Sequence, residues 1–314
     1  MHLQYDPEFL KEAAPILEQL AQTPKPSLHD VTTRRAMLEA MTGEELPLPE
    51  DVKHHIYQVA APDGHKVPVY HLRKTTSQGG REPAIIHLHG GGYISLSAAI
   101  TARYHALTVS HTGVQIFSVD YRLSPENPYP TPLNDCWAVL EWVRSNAEQL
   151  SVDPARIAVM GESAGGGLAA ALTLLARDRA MSPPLAKQIL IYPMLDDRTV
   201  INHAGELAFW DDNDNITGWT AYLGSNVGGD QIAPYAAPAR VESVEGLPPL
   251  YLDCPQLDMF VHEGMEYARR FVAANIPTEC HIYPGLPHGF EALASGAVIT
   301  KQAIANRHKA IISF

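Results

Sequence analysis

Ser163 stands in Gly161-Glu162-Ser163-Ala164-Gly165, a G-x-S-x-G pentapeptide. A serine hydroxyl is a poor nucleophile unless the fold holds it exposed beside a base. A sharp strand-to-helix turn does this, and flanking glycines relieve the backbone crowding that such a turn creates. The surroundings fit. Arg156–Met160 is an apolar, strand-like run, and Leu168–Leu175 is rich in helix-favouring Leu and Ala. Pentapeptides of this kind recur by chance, so the weight lies in the strand–turn–helix setting.

A second group is His87-Leu88-His89-Gly90-Gly91-Gly92-Tyr93, which continues the apolar run Ala84–Leu88. Consecutive glycines let backbone N–H groups converge on one point with no side chain in the way. Acyl transfer needs this, because its tetrahedral intermediate carries negative charge on the former carbonyl oxygen. A phosphate-binding loop fails on spacing, since neither G-x-x-x-x-G-K-[ST] nor an early G-x-G-x-x-G is present.

A serine nucleophile also needs a base and an acid to orient that base. With fifteen histidines in the chain, position in the fold must decide. Sites in open α/β sheets gather beyond the carboxyl ends of the strands. His288 follows the strand-like run Thr278–Tyr283, and Asp258 follows Leu250–Asp253. The order Ser, Asp, His is the one expected of α/β-hydrolases. His87, His262 and His281 lack that placement, and Asp253 belongs to its strand and comes too early.

These residues need a scaffold, and the chain supplies one. Strand-like His54–Ala60 and Lys66–Leu72 flank the turn Pro62-Asp63-Gly64. From Ala84 onward, short runs apolar on both faces alternate with helical stretches near Ala98–Ser110, Leu133–Gln149, His262–Ala274 and Ala297–Ile312. Such alternation predicts a mostly parallel sheet covered by helices on both sides. Residues 1–45 read as helical, with a break at Pro24 and Pro26. The long stretch between Tyr192 and Leu250 breaks the rhythm and is expected to join the N-terminal helices in a lid. Within it, Asp211-Asp212-Asn213-Asp214-Asn215 resembles a calcium loop only superficially, because Ile216 and Tyr222 occupy the positions that need Gly and Glu. A solvated loop is expected there.

The formal net charge of −12 argues against nucleic acid and anionic membrane surfaces as partners. No apolar stretch reaches the roughly 18 residues needed to span a bilayer. Met1–Glu8 shows no basic start followed by an apolar core. Cys136, Cys254 and Cys280 form no disulfide or metal-binding pattern and are expected to be buried thiols. Together these features predict a cytoplasmic protein.

Taken together, the motifs resemble the hormone-sensitive-lipase-like branch (family IV) of the α/β-hydrolase carboxylesterases, over nearly all of residues 50–314. Asp120-Tyr121-Arg122-Leu123-Ser124-Pro125-Glu126, Val152–Ile157, Tyr192-Pro193-Met194 and Leu247-Pro248-Pro249 carry the resemblance further. It implies an α/β-hydrolase fold, a mostly parallel central sheet flanked by helices, with a helical cap. Residues 1–48 and 196–234 are expected to form the cap, and 49–195 with 235–314 the catalytic domain. The resemblance implies Ser163 as nucleophile, Asp258 and His288 as its partners, and the N–H groups of Gly91, Gly92 and Ala164 as the oxyanion hole. His89, Gly90 and Glu162 support these motifs, while Asp120, Arg122 and Glu126 are expected to make structural polar contacts. Tyr93, Phe209, Trp210, Trp219 and Tyr222 are expected to line the substrate pocket. Two departures stand out. Glu162 replaces the usual Asp before the serine, and the usual Asp-Pro-Leu reads Asp258-Met259-Phe260, with His262 at a later, usually acidic position.

The expected activity is hydrolysis of short- to medium-chain carboxylic esters through an acyl-enzyme, with no metal or cofactor implied. An amide-cleaving relative such as an aryl-formamidase would use the same machinery. A non-catalytic ligand receptor on this fold would be expected to have lost one of the three residues. A small ester is the expected partner, and the oligomeric state is left open, a homodimer included.

Overall fold

In the computed structural model, which describes residues 3–41, 47–77 and 80–314, the alternation becomes eight strands. They are β1 (Val52–Ala60), β2 (Lys66–Lys74), β3 (Glu82–Leu88), β4 (Gln115–Val119), β5 (Val152–Glu162), β6 (Lys187–Ile191), β7 (Leu250–Leu257) and β8 (Thr278–Pro287). They form one sheet in the order β1-β2-β4-β3-β5-β6-β7-β8. The hairpin β1–β2 and the β2–β4 pairing are antiparallel, and every later pairing is parallel.

Successive residues of a strand point to opposite faces, and here both faces are dry. Ile86, Leu88, Phe117 and Val159 enter one hydrophobic cluster. Their neighbours Ile85, Ile116, Ala158 and Met160 enter the other. The helices α3 (Ala98–Thr112), α4 (Thr131–Ser145), α5 (Ala164–Asp178), α7 (Val261–Ala273), the short α8 (Phe290–Leu293) and α9 (Val298–Ile311) supply the cover. Helix α5 is buried from Ala164 to Ala176, and its run Ala169-Ala170-Ala171 lets it lie deep in the fold.

Helices α1 (Pro7–Gln22) and α2 (Val31–Met41) go to different places. Glu8 accepts a hydrogen bond from Val298 N at the start of α9, and Glu12 accepts one from Gly296 N. A carboxylate there satisfies free N–H groups and meets the positive end of the helix dipole. Helix α2 turns instead to α6 (Asp212–Leu223), with Arg34 on Asp214 at 2.8 Å. The helical expectation for residues 1–45 falls outside the described residues at 1–2 and 42–45.

Two expectations need correction. Asp211–Asn215 is no solvated loop: Asp211 caps α6, accepting from the N–H groups of Asn213 and Asp214, and Asp214 returns the bond in a capping box. Its acidic residues belong to the first turn of a helix, where the dipole favours them. Of the three cysteines, all free, Cys136 and Cys254 are buried but Cys280 is exposed on the edge strand β8. Among the described residues, no helix is long and apolar enough to cross a membrane.

Candidate active site

Strand β5 delivers Ser163 into the turn before α5 with φ 55° and ψ −121°. A left-handed conformation costs a non-glycine residue about 1–3 kcal/mol and persists only where the surroundings enforce it. Here Ser163 N donates to Ile191 O at 2.9 Å, while Gly167 N and Met194 N both donate to Ser163 O. A Cβ on Gly161 would overlap the Gly165 carbonyl, and one on Gly165 would overlap the Leu88 carbonyl. The motif glycines therefore permit close approach of backbone segments, and the positive φ falls on the serine itself.

The Ser163 hydroxyl lies 2.9 Å from His288 Nε2, and His288 Nδ1 lies 2.6 Å from Asp258 Oδ2. The second Asp258 oxygen accepts the Phe260 N–H at 3.0 Å. The sheet register explains the meeting of Asp258 and His288: Leu257 pairs with Pro287, so the next residue on each strand emerges side by side. Strand β8 runs past Tyr283 to Pro287, so His288 follows the strand end directly. The rings of Tyr192, Phe260 and Trp210 surround the imidazole at 4.6, 5.4 and 6.4 Å between centroids. Ser163 is 5% exposed and His288 7%.

The glycine loop lies against this turn. A Cβ on Gly90 would stand 3.4 Å from the Ser163 Cβ. His89 stacks on Tyr121 at 4.2 Å, its Nδ1 lies 2.8 Å from Gly90 O, and the Tyr121 hydroxyl donates to His89 O. Burial lowers the His89 pKa, so the ring is a neutral brace. The N–H groups of Gly91, Gly92 and Ala164 donate to no acceptor among the described residues. That of Ala164 is one of the free donors at the start of α5.

Over the loop sit residues of the 196–234 segment. The Trp210 ring occupies the space a Cβ on Gly92 would need, and Gly218 of α6 abuts the Gly92 carbonyl. Tyr93 stacks on Tyr222 at 4.0 Å and tilts against Trp219 at 5.4 Å, all three deep in the core. Phe209 is partly buried and packs on the opposite cluster. Trp210 is thus the one of these five aromatic side chains that stands against His288. Arg35 of α2 reaches the same loop, bonding Ile94 O, Ser124 O and Glu126.

The rival residues have other partners. Asp253 holds Arg307 through two contacts at 2.7 and 3.0 Å and accepts from the Tyr251 hydroxyl. Burial raises its pKa while Arg307 opposes the rise. Arg122 binds Asp135 and Asp63, and Asp120 accepts the Ala98 N–H. His262 is exposed beside His203, and His281 contacts Glu279.

Two features went unread in the sequence. The buried Glu263 accepts the N–H groups of Leu195 and Asp196 and bonds Thr199, anchoring the start of the 196–234 segment. Burial pushes its pKa well up. A carboxylate at the inward face of α7 was the available signal. His87, His105 and Glu162 also meet beneath Ser163, with ligand-capable atoms all within 4.8 Å of one another. They lie far apart in sequence, and no local spacing announces them.

Comparison with known proteins bears on the fold and the family. A family model described as alpha/beta hydrolase fold matches residues 85–292. The carboxylesterase NlhH of Mycobacterium tuberculosis is 36% identical over 218 residues, covering 66% of each chain. The carboxylic ester hydrolase LipN of the same species is 33% identical over 264 residues, 82% of this chain and 68% of that one. Among solved structures, a bacterial heroin esterase superposes with a TM-score of 0.89 at 33% identity, covering 98% of this chain and 97% of that one.

Proposed function

The chain belongs to the alpha/beta hydrolase fold family, in its hormone-sensitive-lipase-like carboxylesterase branch, and from that membership we propose that it is a serine carboxylesterase. The observation that carries the proposal is the continuous line from Ser163 Oγ through His288 to Asp258, at 2.9 and 2.6 Å. His288 Nε2 takes the hydroxyl proton as Ser163 Oγ attacks the ester carbonyl. Asp258 holds the proton on Nδ1 and stabilises the imidazolium that forms. The developing oxyanion is met by the N–H groups of Gly91, Gly92 and Ala164, which donate to no acceptor among the described residues. Protonated His288 then releases the alcohol. Water, activated by the same ring, hydrolyses the acyl-enzyme and regenerates Ser163.

The crowding of Trp210 and α6 over the glycine loop supports soluble short- to medium-chain esters as substrates. Free thiols at Cys136, Cys254 and Cys280 suit a cytoplasmic enzyme. Acting as monomer or homodimer is distinguished by light scattering. The deciding experiment is kinetics on an acyl-length panel with Ser163→Ala as blank. Rates should be highest for short acyl chains and should vanish in the variant. Emulsified long-chain triglycerides cleaved as fast as butyrate-type esters would overturn the substrate class. An organophosphate label that persists in Ser163→Ala would overturn the nucleophile.

A further inference from the structure

His87, at the end of β3, His105, in the middle of α3, and Glu162, the last residue of β5, converge behind the nucleophile turn. Both histidines are fully buried, and the Glu162 side chain is 13% exposed. His87 is satisfied on both sides, with Nδ1 2.8 Å from Ser118 Oγ and Nε2 2.8 Å from Glu162 Oε2. Its neighbours are not. Among the described residues, neither ring nitrogen of His105 has a hydrogen-bond partner, and neither has Glu162 Oε1. A buried polar atom left unpaired costs about 1–3 kcal/mol, and three of them belong to this cluster. The His87 and His105 rings lie 3.6 Å apart between centroids. Two imidazoles so close, beside a half-satisfied carboxylate, form a donor set with more lone pairs than hydrogens to share.

We propose that His87, His105 and Glu162 form a binding site for a divalent cation of the Zn²⁺ type. The ligands are His87 Nε2, one ring nitrogen of His105 and a carboxylate oxygen of Glu162. Two imidazoles and a carboxylate suit borderline metals such as zinc and leave a fourth position for water. Ligation requires neutral imidazole, and burial drives both histidines well below their usual pKa. The second shell is in place. In the metal-free state His87 Nε2–H donates to Glu162, and Nδ1 accepts from Ser118. On binding, the proton moves to Nδ1, which donates to Ser118 Oγ, and the Nε2 lone pair turns to the ion. The ring keeps one proton throughout, and its orientation is held by the serine as ligating histidines require. Of the three side chains, Glu162 alone has any exposure, 13%. Glu162 is bonded in the chain to Ser163, so an ion held there ties β3, α3 and the nucleophile turn into one unit. The site is independent of the ester chemistry and is tested without it.

Equilibrium dialysis of the full chain against Zn²⁺, and visible spectroscopy with Co²⁺, read the site directly. One equivalent should bind, Co²⁺ should show the intense absorption of a four-coordinate ion, and Zn²⁺ should raise Tm. His105→Phe and the isosteric Glu162→Gln should each weaken binding by at least about 100-fold. His262→Ala, which removes the exposed His203–His262 pair, should leave it unchanged. Failure to bind one equivalent, or binding that survives in Glu162→Gln, would overturn the site. So would loss in His262→Ala. If His105→Phe does not fold by circular dichroism, Glu162→Gln decides alone.

Discussion

Two histidine–carboxylate pairs flank one serine. His288 and Asp258 approach to 2.6 Å on the side of the hydroxyl, and His87 and Glu162 to 2.8 Å behind the backbone. The pairs are chemically alike and both largely buried, yet their surroundings differ. Asp258 spends its second oxygen on a backbone N–H, and His288 spends its second nitrogen on Ser163. Every polar atom of that pair has one partner, which fixes the tautomer and aims the free lone pair at the serine proton. The other pair ends in Glu162 Oε1 and His105, which have none. A closed hydrogen-bond line directs a proton, whereas an open one leaves electron pairs for a ligand.

The largest effect that could break this contrast is on turnover. Asp258→Asn should lower kcat by on the order of 10⁴-fold with the fold intact, because the amide favours the wrong tautomer. Glu162→Gln should cost less than about tenfold, since it touches neither the substrate nor the proton in transit. Equal losses in the two variants, by steady-state kinetics on one ester, would erase the distinction drawn here.

A third carboxylate sharpens it. Asp253 lies within β7, the strand that ends just before Asp258, but is bound to Arg307. Asp253→Asn leaves a buried guanidinium short of its partner and should cost about 3–5 kcal/mol of stability. The folded fraction should keep a kcat near that of the parent. Denaturant midpoints and active-site titration separate the two losses. A kcat drop matching Asp258→Asn would return Asp253 to the chemistry.

The smallest effect concerns pH. His71, stacked on Phe117 and bonded to Gln115, is lowered to about 4 by burial. Its folded value lies below its unfolded value, so the unfolded chain binds the extra proton. The stability is therefore complete above about pH 6.5 and is lost as pH falls toward about 4, by about 3 kcal/mol at most. Glu162 has the opposite sign. Burial raises it, so the folded chain keeps its proton longer, and that contribution is lost as pH rises above the unfolded value of about 4.3. Unfolding midpoints between pH 7 and 4 should fall less steeply in His71→Phe than in the parent. An unchanged slope would mean that His71 titrates alike in both states.

Much of this was legible because it is local. Gly161–Gly165 between an apolar run and an Ala-rich helix, and three glycines after Leu88, are written in adjacent residues. The alternation that gives the mostly parallel sheet is written in runs of four to seven. Strand ends were less sharp, since β5, β7 and β8 all extend beyond their apolar runs. Local polarity misled at Asp211, where a capping box looks like a solvated loop until the helix behind it is seen.

The sequence by itself determined which residues could be a nucleophile, which glycines could crowd a backbone, and which strands must be dry on both faces. These follow from residue type and from the periods of strand and helix. Only the tertiary structure decided which side chains meet. The pairing of Leu257 with Pro287 brings Asp258 to His288, the crossover through α3 brings His105 under Glu162, and docking on α9 separates α1 from α2. Each depends on register and packing between segments distant in the chain, where no spacing rule reaches.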